Sequence, residues 1–228
     1  MPVRSLLAVD AEALLRAVDD VFTAAGGDDL GWPDPHPDRR VQDEEYSRVS
    51  EPGRYGVVAL RTTAWITALT GTGLATAEPV ADARAPWRVP PRSLDDSAVV
   101  SRLRPRPAGS VPLLLCLNRA DSREHDYLLV GAGDPAVEVD LVPDCGCDAC
   151  DSGSADLLEV IDRGVLDVVS GDLVHITLPD GTVCGRGDGW SAAGPRGRPR
   201  GSGEVEALLD AARAGSSPHP VVHGPAWW

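Results

Sequence analysis

The fold class is decided by residues 127–142, which read YLLVGAGDPAVEVDLV. Two apolar runs, 127–130 and 137–142, flank a segment rich in Gly, Asp and Pro, a pattern typical of two short β-strands. Apolar and acidic residues alternate strictly over 137–141, so one face of that strand should be buried and the other wet, as in an antiparallel sheet. Similar runs at 98–103 and 111–117 predict two further strands.

Helices are predicted before and after these strands. Apolar residues at helical spacing predict one helix from Asp10 to about residue 25 and a second from Pro52 to Gly71. A third helix is predicted over 157–169, followed by a hairpin over 173–184. N-terminal helices packed with a mainly antiparallel sheet, without regular βαβ alternation, predict an α+β fold.

Three parts of the chain are predicted from composition. Residues 1–193 should form a single α+β domain, and residues 194–203, GPRGRPRGSG, read as a Gly/Pro/Arg linker. Residues 204–228 should hold a C-terminal helix and an extended tail that ends in Trp227-Trp228. This pair of large aromatic side chains is expected to pack against the body or against a partner.

Charge and residue usage exclude several classes of function. The 228 residues carry 35 acidic and 21 basic side chains, a formal net charge of -14, which argues against nucleic-acid binding and favours a basic protein partner. Every basic residue is arginine. Because lysine is absent, Schiff-base chemistry and the P-loop and kinase phosphate sites are excluded.

The apolar stretches are too short to place the protein in a membrane. The N-terminal apolar run at 6–9 is too short for a signal peptide, and the uncharged stretch at 62–77 is interrupted by Gly71 and Gly73. We therefore expect a soluble cytoplasmic protein that does not bind membranes.

A cysteine knuckle, defined here as residues 144–151, reads DCGCDACD and carries the main chemical signal. Three thiols on one tight turn can converge on a soft cation, with Gly146 permitting the bend. A fourth thiol on the later hairpin would complete tetrahedral sulfur coordination of zinc. The predicted metal ligands are Cys145, Cys147, Cys150 and Cys184. Cys116, in an apolar strand, is interpreted as a small core residue.

Two other interpretations of the knuckle stay open: unliganded thiols on a surface turn, and a redox or nucleophilic site. Residues 144–190 contain ten acidic residues and two arginines, so an RNA-binding knuckle is disfavoured. Nearby aspartates raise thiol pKa values, which disfavours a reactive thiolate, whereas a divalent cation would offset both charges. His36, His125 and His175 are interpreted as surface or satisfied histidines, and the acidic run 43–45 as a solvated face.

The chain resembles a family of actinobacterial proteins defined only as a domain of unknown function. The resemblance covers roughly residues 10–190, and its most specific part is the string Cys-Gly-Cys-Asp-Ala-Cys within the knuckle. Upstream it rests on Tyr46-Ser47-Arg48-Val49, Arg54-Tyr55, Arg61, Ala64-Trp65, Leu69 and Gly73-Leu74-Ala75. It implies a single domain and assigns no catalytic or binding residue.

Together these observations predict a non-enzymatic binding or interaction module with a structural metal, zinc, bound by cysteines. The alternative is a small thiol-dependent enzyme, redox or nucleophilic, that uses the turn from Cys145 to Cys150.

Overall fold

The computed structural model describes residues 10–119, 125–187, 189–194 and 200–228. Within these ranges the chain forms four α-helices and two antiparallel sheets, which confirms the α+β prediction. The helices are α1 (Ala11–Ala24), α2 (Gly56–Gly71), α3 (Ser154–Val169) and α4 (Ser202–Arg213). None of the helices described is long and apolar enough to cross a membrane.

The larger sheet is a five-stranded meander in which each strand pairs with the next along the chain. Its strands are β1 (Ala75–Val80), β2 (Val99–Pro105), β3 (Leu113–Asn118), β4 (Tyr127–Gly133) and β5 (Ala136–Val142). Four of them match the predicted strands, with ends shifted by a few residues. The strand β1 was not predicted; it contains Glu78 and Pro79 and lies at the edge of the sheet.

The smaller sheet has the order β8-β7-β6-β9. The predicted hairpin forms its centre, as β6 (Val174–Leu178) and β7 (Gly181–Arg186). The outer strands β8 (Gly189–Ala193) and β9 (Val221–Val222) were not predicted. All of β8 is exposed and β9 has two residues, so neither shows an alternating apolar pattern.

Successive side chains of β3 point to opposite faces of the sheet and belong to two different cores. Leu113 and Leu115 face the main core formed with α1, α2 and α3, whereas Leu114 and Cys116 face a smaller cluster with Trp87. Cys116 is fully buried, as expected for a core residue, and burial raises its pKa to about 12.

The helices also follow their sequence signals. Asp10 caps α1 by accepting a hydrogen bond from the Ala13 backbone N–H at 2.8 Å. The second helix begins later than predicted, because Pro52–Tyr55 forms a 3₁₀ turn before α2 starts at Gly56.

The C-terminal segment packs on the body. Trp227 is 1% exposed; its backbone N–H donates to Val169 O at 2.9 Å and its indole Nε1 donates to Val111 O at 3.2 Å. Residues 195–199 of the predicted linker lie outside the described residues. The division into a domain, a linker and a tail stays a prediction.

A charged cluster joins the two sheets. Arg186 of β7 donates through Nη1 to Asp140 Oδ2 of β5 at 2.5 Å, and the same nitrogen lies 3.7 Å from Asp167 Oδ2 of α3. Arg186 also donates to the carbonyl of Val139. Burial raises the pKa of Asp167, and Asp140 adds to that rise although Arg186 opposes it. Asp140 therefore stabilises the folded protein through its bond to Arg186, whereas ionisation of the buried Asp167 is unfavourable.

We expect the isosteric variants of these two aspartates to behave oppositely. Asp140→Asn should lower the free energy of unfolding by about 2 kcal/mol, or the Tm by about 4–8 °C, because it breaks a charged hydrogen bond. Asp167→Asn should raise the Tm at pH 7, because ionisation of a carboxylate with a raised pKa costs stability as the pH rises above about 4. That gain should vanish below about pH 4. Thermal unfolding of both variants from pH 3 to 8 checks this, and equal losses at pH 7 would contradict it.

Candidate functional site

The three cysteines of the knuckle lie close together in the segment between β5 and α3. The sulfur atoms of Cys145, Cys147 and Cys150 lie within 4.8 Å of one another, and those of Cys145 and Cys147 are 3.2 Å apart. The turn itself is short, because Asp148–Cys150 forms a single 3₁₀ turn closed by a hydrogen bond from Cys150 N to Cys147 O. This geometry fits a set of thiolate ligands around one cation.

Cys184 lies elsewhere. It is on β7, opposite His175 of β6 and Ser191 of β8, and it is 9% exposed within the main core. Burial raises the pKa of its thiol, and the adjacent Arg186 opposes that rise. The structure therefore brings together three of the four predicted ligands and leaves Cys184 outside the cluster.

The three clustered thiols have unequal environments. Cys147 is buried, whereas Cys145 and Cys150 are exposed. Burial acts to raise the pKa of Cys147, but hydrogen bonds from Cys145, Cys150 and the backbone outweigh it, so its pKa is lowered. The pKa of Cys150 is raised to about 12, first by its hydrogen bond to Cys147 and then by burial. Of these two thiols, Cys147 is therefore the one that ionises more readily.

Two of the three aspartates of the knuckle, Asp148 and Asp151, are bound by a segment about a hundred residues upstream. Arg48 Nε donates to Asp148 Oδ2 at 2.6 Å, and Ser50 donates to the same carboxylate through its backbone N–H and its hydroxyl. Burial acts to raise the pKa of Asp148, but these donors outweigh it and lower the pKa to about 2. Asp148 N also donates to Arg48 O at 2.8 Å, which fixes the turn from both sides.

Asp151 is held in the same way at the other end of the knuckle. Arg54 Nη2 lies 2.6 Å from Asp151 Oδ2, and the indole Nε1 of Trp32 donates to Asp151 Oδ1 at 2.9 Å. The guanidinium of Arg54 stacks over the Trp32 ring at 4.9 Å, and the His36 ring lies 3.1 Å from Asp151 O through Nδ1. The segment 32–36, which includes Pro33 and Pro35, therefore packs against the knuckle.

Glu45 corrects one sequence interpretation. The acidic run 43–45 was expected to be a solvated face, yet Glu45 is 5% exposed. Arg39 donates to it at 2.6 and 2.9 Å, and these bonds, with one from Gln42 N, lower its pKa to about 2. It is a structural carboxylate beside His36, whose Nε2 is 3.5 Å away.

Gly146 is the point of closest packing in the knuckle. The Tyr55 hydroxyl donates to Gly146 O at 3.2 Å, and the His125 ring lies where a Cβ on Gly146 would be. His125 is buried, and its ring centroid is 5.0 Å from that of Tyr55. Only glycine leaves room for this ring, so Gly146 is required for packing, whereas its φ is not positive and the bend itself does not require a glycine.

The exposed sulfurs open into an acidic cleft of about 460 Å³. We use the name acidic cleft for this cavity, which lies between the edge strand β5, the knuckle and the first turns of α3. Its lining includes Cys145 and Cys150, and its charged lining residues are all acidic: Glu138, Asp140, Asp144, Asp151 and Asp156. Asp151 and Asp140 are paired with arginines as described above. No ion pair is seen for Glu138, Asp144 or Asp156 in the part of the chain that the structure describes.

Sequence reasoning found the cysteines and missed the residues that hold them. Trp32 and His125 belong to no local motif, and Arg48 and Arg54 appeared only in the stretches that carry the family resemblance, with no role assigned to them. The one available signal was charge, because aspartates that flank thiols in a buried turn need cationic partners, and Arg48 and Arg54 lie close together.

The fold and the cluster define an α+β protein with three cysteines positioned as ligands for a metal ion. The model of a family of unknown function, DUF6226, matches residues 18–228, and the chain belongs to this family. The matched region extends beyond the roughly 10–190 of the resemblance and includes the C-terminal tail. Comparison with curated proteins and with solved structures gives no match.

Substituting Gly146 tests the packing of the knuckle. We expect Gly146→Ala to lower the free energy of unfolding by about 1–3 kcal/mol, because the added methyl group must displace the His125 ring. Gly71→Ala is the matched control, since nothing lies within 4 Å of its Cβ position at the end of α2. Urea unfolding of both variants measures the difference, and a loss no larger for Gly146→Ala than for the control would contradict the assigned packing.

Proposed function

We propose that this protein is a non-enzymatic binding module that holds one zinc ion through Cys145, Cys147 and Cys150. The observation that carries the proposal is the convergence of three sulfur atoms to within 4.8 Å on one short turn. Thiolates are the preferred ligands of zinc in structural sites. A divalent cation would also stabilise the charges of all three thiolates.

The residues around the cysteines support a preformed site. Ligand groups are oriented by outer contacts, and here Arg48 and Arg54 hold the two aspartates between and after the cysteines. Because these carboxylates are already paired, their charge is offset by arginine and they are not needed as ligands. The knuckle therefore offers sulfur ligands, which suit a soft cation and not calcium or magnesium, since those two ions take oxygen ligands.

Three protein ligands leave a fourth position. The exposed sulfurs of Cys145 and Cys150 line the acidic cleft, so a water molecule or a donor atom of a bound partner would complete the coordination from that side. Cys184 would have to leave the core to reach the metal. We therefore assign the metal to three sulfurs and give the fourth position to the cleft.

Metal analysis tests this assignment directly. Protein purified without a His tag should contain about one equivalent of zinc, and cobalt(II) added to the metal-free protein should give the absorption of thiolate coordination. Cys147→Ser should abolish both signals, because it removes a central ligand. Cys184→Ser is the matched control and should retain them; its loss of metal would instead support four sulfur ligands.

The same samples separate the proposal from the thiol-dependent enzyme. A bound metal should protect the cysteines of the knuckle from iodoacetamide until a chelator is added. The opposite result would be protein that retains no zinc, binds no cobalt and has one cysteine that is alkylated rapidly with or without chelator. That result would overturn the metal proposal and favour the thiol-dependent enzyme.

We also propose that the acidic cleft receives a basic segment of a protein partner. The proposal is supported by the net charge of -14 and by the all-acidic charged lining beside the cysteines. An arginine-rich peptide should bind more weakly as salt rises from 50 to 500 mM, because exposed charges are screened. The double variant Asp144→Asn, Asp156→Asn should weaken binding several-fold.

The control for this experiment carries the same change of charge outside the cleft. Glu206→Gln with Asp210→Asn removes two exposed acidic side chains from α4. Binding that ignores ionic strength, or that falls equally in both double variants, would show that the acidic cleft is not the docking site.

A further inference from the structure

A second cavity, of about 490 Å³, lies between β5 and the smaller sheet. We call it the basic cavity. Its polar lining residues include Arg88 and Arg92 from the loop before β2, and His175, Thr177 and Thr182 from β6 and β7. It meets the acidic cleft along β5, where Glu138 and Val139 line both. We propose that the basic cavity binds a phosphomonoester, with the phosphoryl group held by Arg88, Arg92, His175 and the two threonines.

Arg88 and Arg92 are the first evidence for an anionic ligand. Most of the arginines that the structure describes form ion pairs with carboxylates, as expected in a chain of net charge -14, but neither Arg88 nor Arg92 does so within the described residues. Glu138 lines the same cavity, and its pKa is raised by burial and by Asp140, with no lowering by either arginine. Two guanidinium groups without a carboxylate partner at one cavity favour an anionic ligand.

His175 is the second piece of evidence for a ligand in the basic cavity. It is 7% exposed, and its Nδ1 is buried with no hydrogen-bond partner in the part of the chain that is described. Burial lowers its pKa, and Arg88 and Arg186 lower it further. The neutral ring is therefore favoured, and its Nδ1 still lacks a hydrogen-bond partner among the described residues. A buried polar group of this kind is normally paired, so a bound molecule is a suitable partner.

The threonines complete the donor set by position. His175 and Thr177 are two residues apart on β6 and face the same side of the sheet, and Thr182 lies opposite Thr177 on β7. Arg88 Nη1 donates to Thr177 Oγ1 at 3.0 Å, which fixes the guanidinium and leaves the hydroxyl proton free to donate to a ligand. The opposite face of the sheet is apolar, with Ile176 and Val183 packed under α4.

The number of donors selects the chemistry of the ligand. A carboxylate has two oxygens, whereas two guanidinium groups, two hydroxyls and an imidazole offer more donors than two oxygens accept well. A phosphoryl group has three terminal oxygens and a double charge. Val89, Pro90 and Pro91 form an apolar wall of the same cavity, which suits the organic part of an ester.

Three probes test the proposal: phenyl phosphate, benzoate and inorganic phosphate, each titrated into the full chain and followed by NMR and calorimetry. Phenyl phosphate should bind at least tenfold more tightly than benzoate, shift the signals of residues 137–139, 175, 177 and 182, and raise the pKa of His175. Inorganic phosphate should shift the same signals more weakly, because it lacks the group that contacts the apolar wall. Benzoate binding as tightly as phenyl phosphate, or no binding at millimolar concentration, would overturn the proposal.

Variants locate the site. Arg88→Gln should weaken phenyl phosphate at least tenfold, whereas Arg106→Gln removes the same charge from an exposed position outside the cavity and should leave the affinity unchanged. Thr182→Val is a second variant, and it should weaken binding even if Arg88→Gln does not fold. Equal weakening by Arg88→Gln and Arg106→Gln would show that the anion responds only to net charge, and the assignment would fall.

Discussion

The pairing of the knuckle aspartates with upstream arginines is the constraint on which the site depends. Asp148 and Asp151 are buried beside the thiols, where unpaired carboxylates would be costly. Arg48 and Arg54 offset those charges, and in doing so they attach residues 32–55 to the start of α3. The same contacts order Trp32 and Tyr55, which pack around Gly146. The geometry of the sulfur atoms is thus a consequence of ion pairs formed by residues that carry no sulfur.

The net charge does not show where the unpaired charges of the molecule lie. Arginines are mostly used to pair carboxylates, and the clusters at Arg61 with Asp162 and at Arg186 with Asp140 tie helices and sheets together. Among the described residues, the charged groups without an ion pair are carboxylates in the acidic cleft, whereas the basic cavity holds the guanidinium groups of Arg88 and Arg92 together with Glu138, which lines both cavities. Because Glu138 and Val139 of β5 line both cavities, the proposed basic segment and the proposed phosphomonoester would bind next to the same edge strand.

The sequence predicted those features that local patterns determine. Period-3.6 patterns located α1, α2 and α3, and short apolar runs located β2 to β5, because each element buries one face that its own residues define. The strands β1, β8 and β9 have little apolar alternation of their own and depend on a neighbouring strand for pairing. The cysteine turn was recognisable for the same reason as the helices, since its three thiols are local. Its arginine, tryptophan and histidine neighbours come together only in the folded chain.

Trp227 shows why the C-terminal segment belongs to the fold. Its two hydrogen bonds go to Val169 at the end of α3 and to Val111 just before β3, so it bridges a helix and the central strands from inside the main core. The segment before it supplies β9, whose pairing covers one edge of β6. Removing these residues would expose that edge and open the core beneath α3 at once. The family match, which continues to residue 228, agrees with this packing.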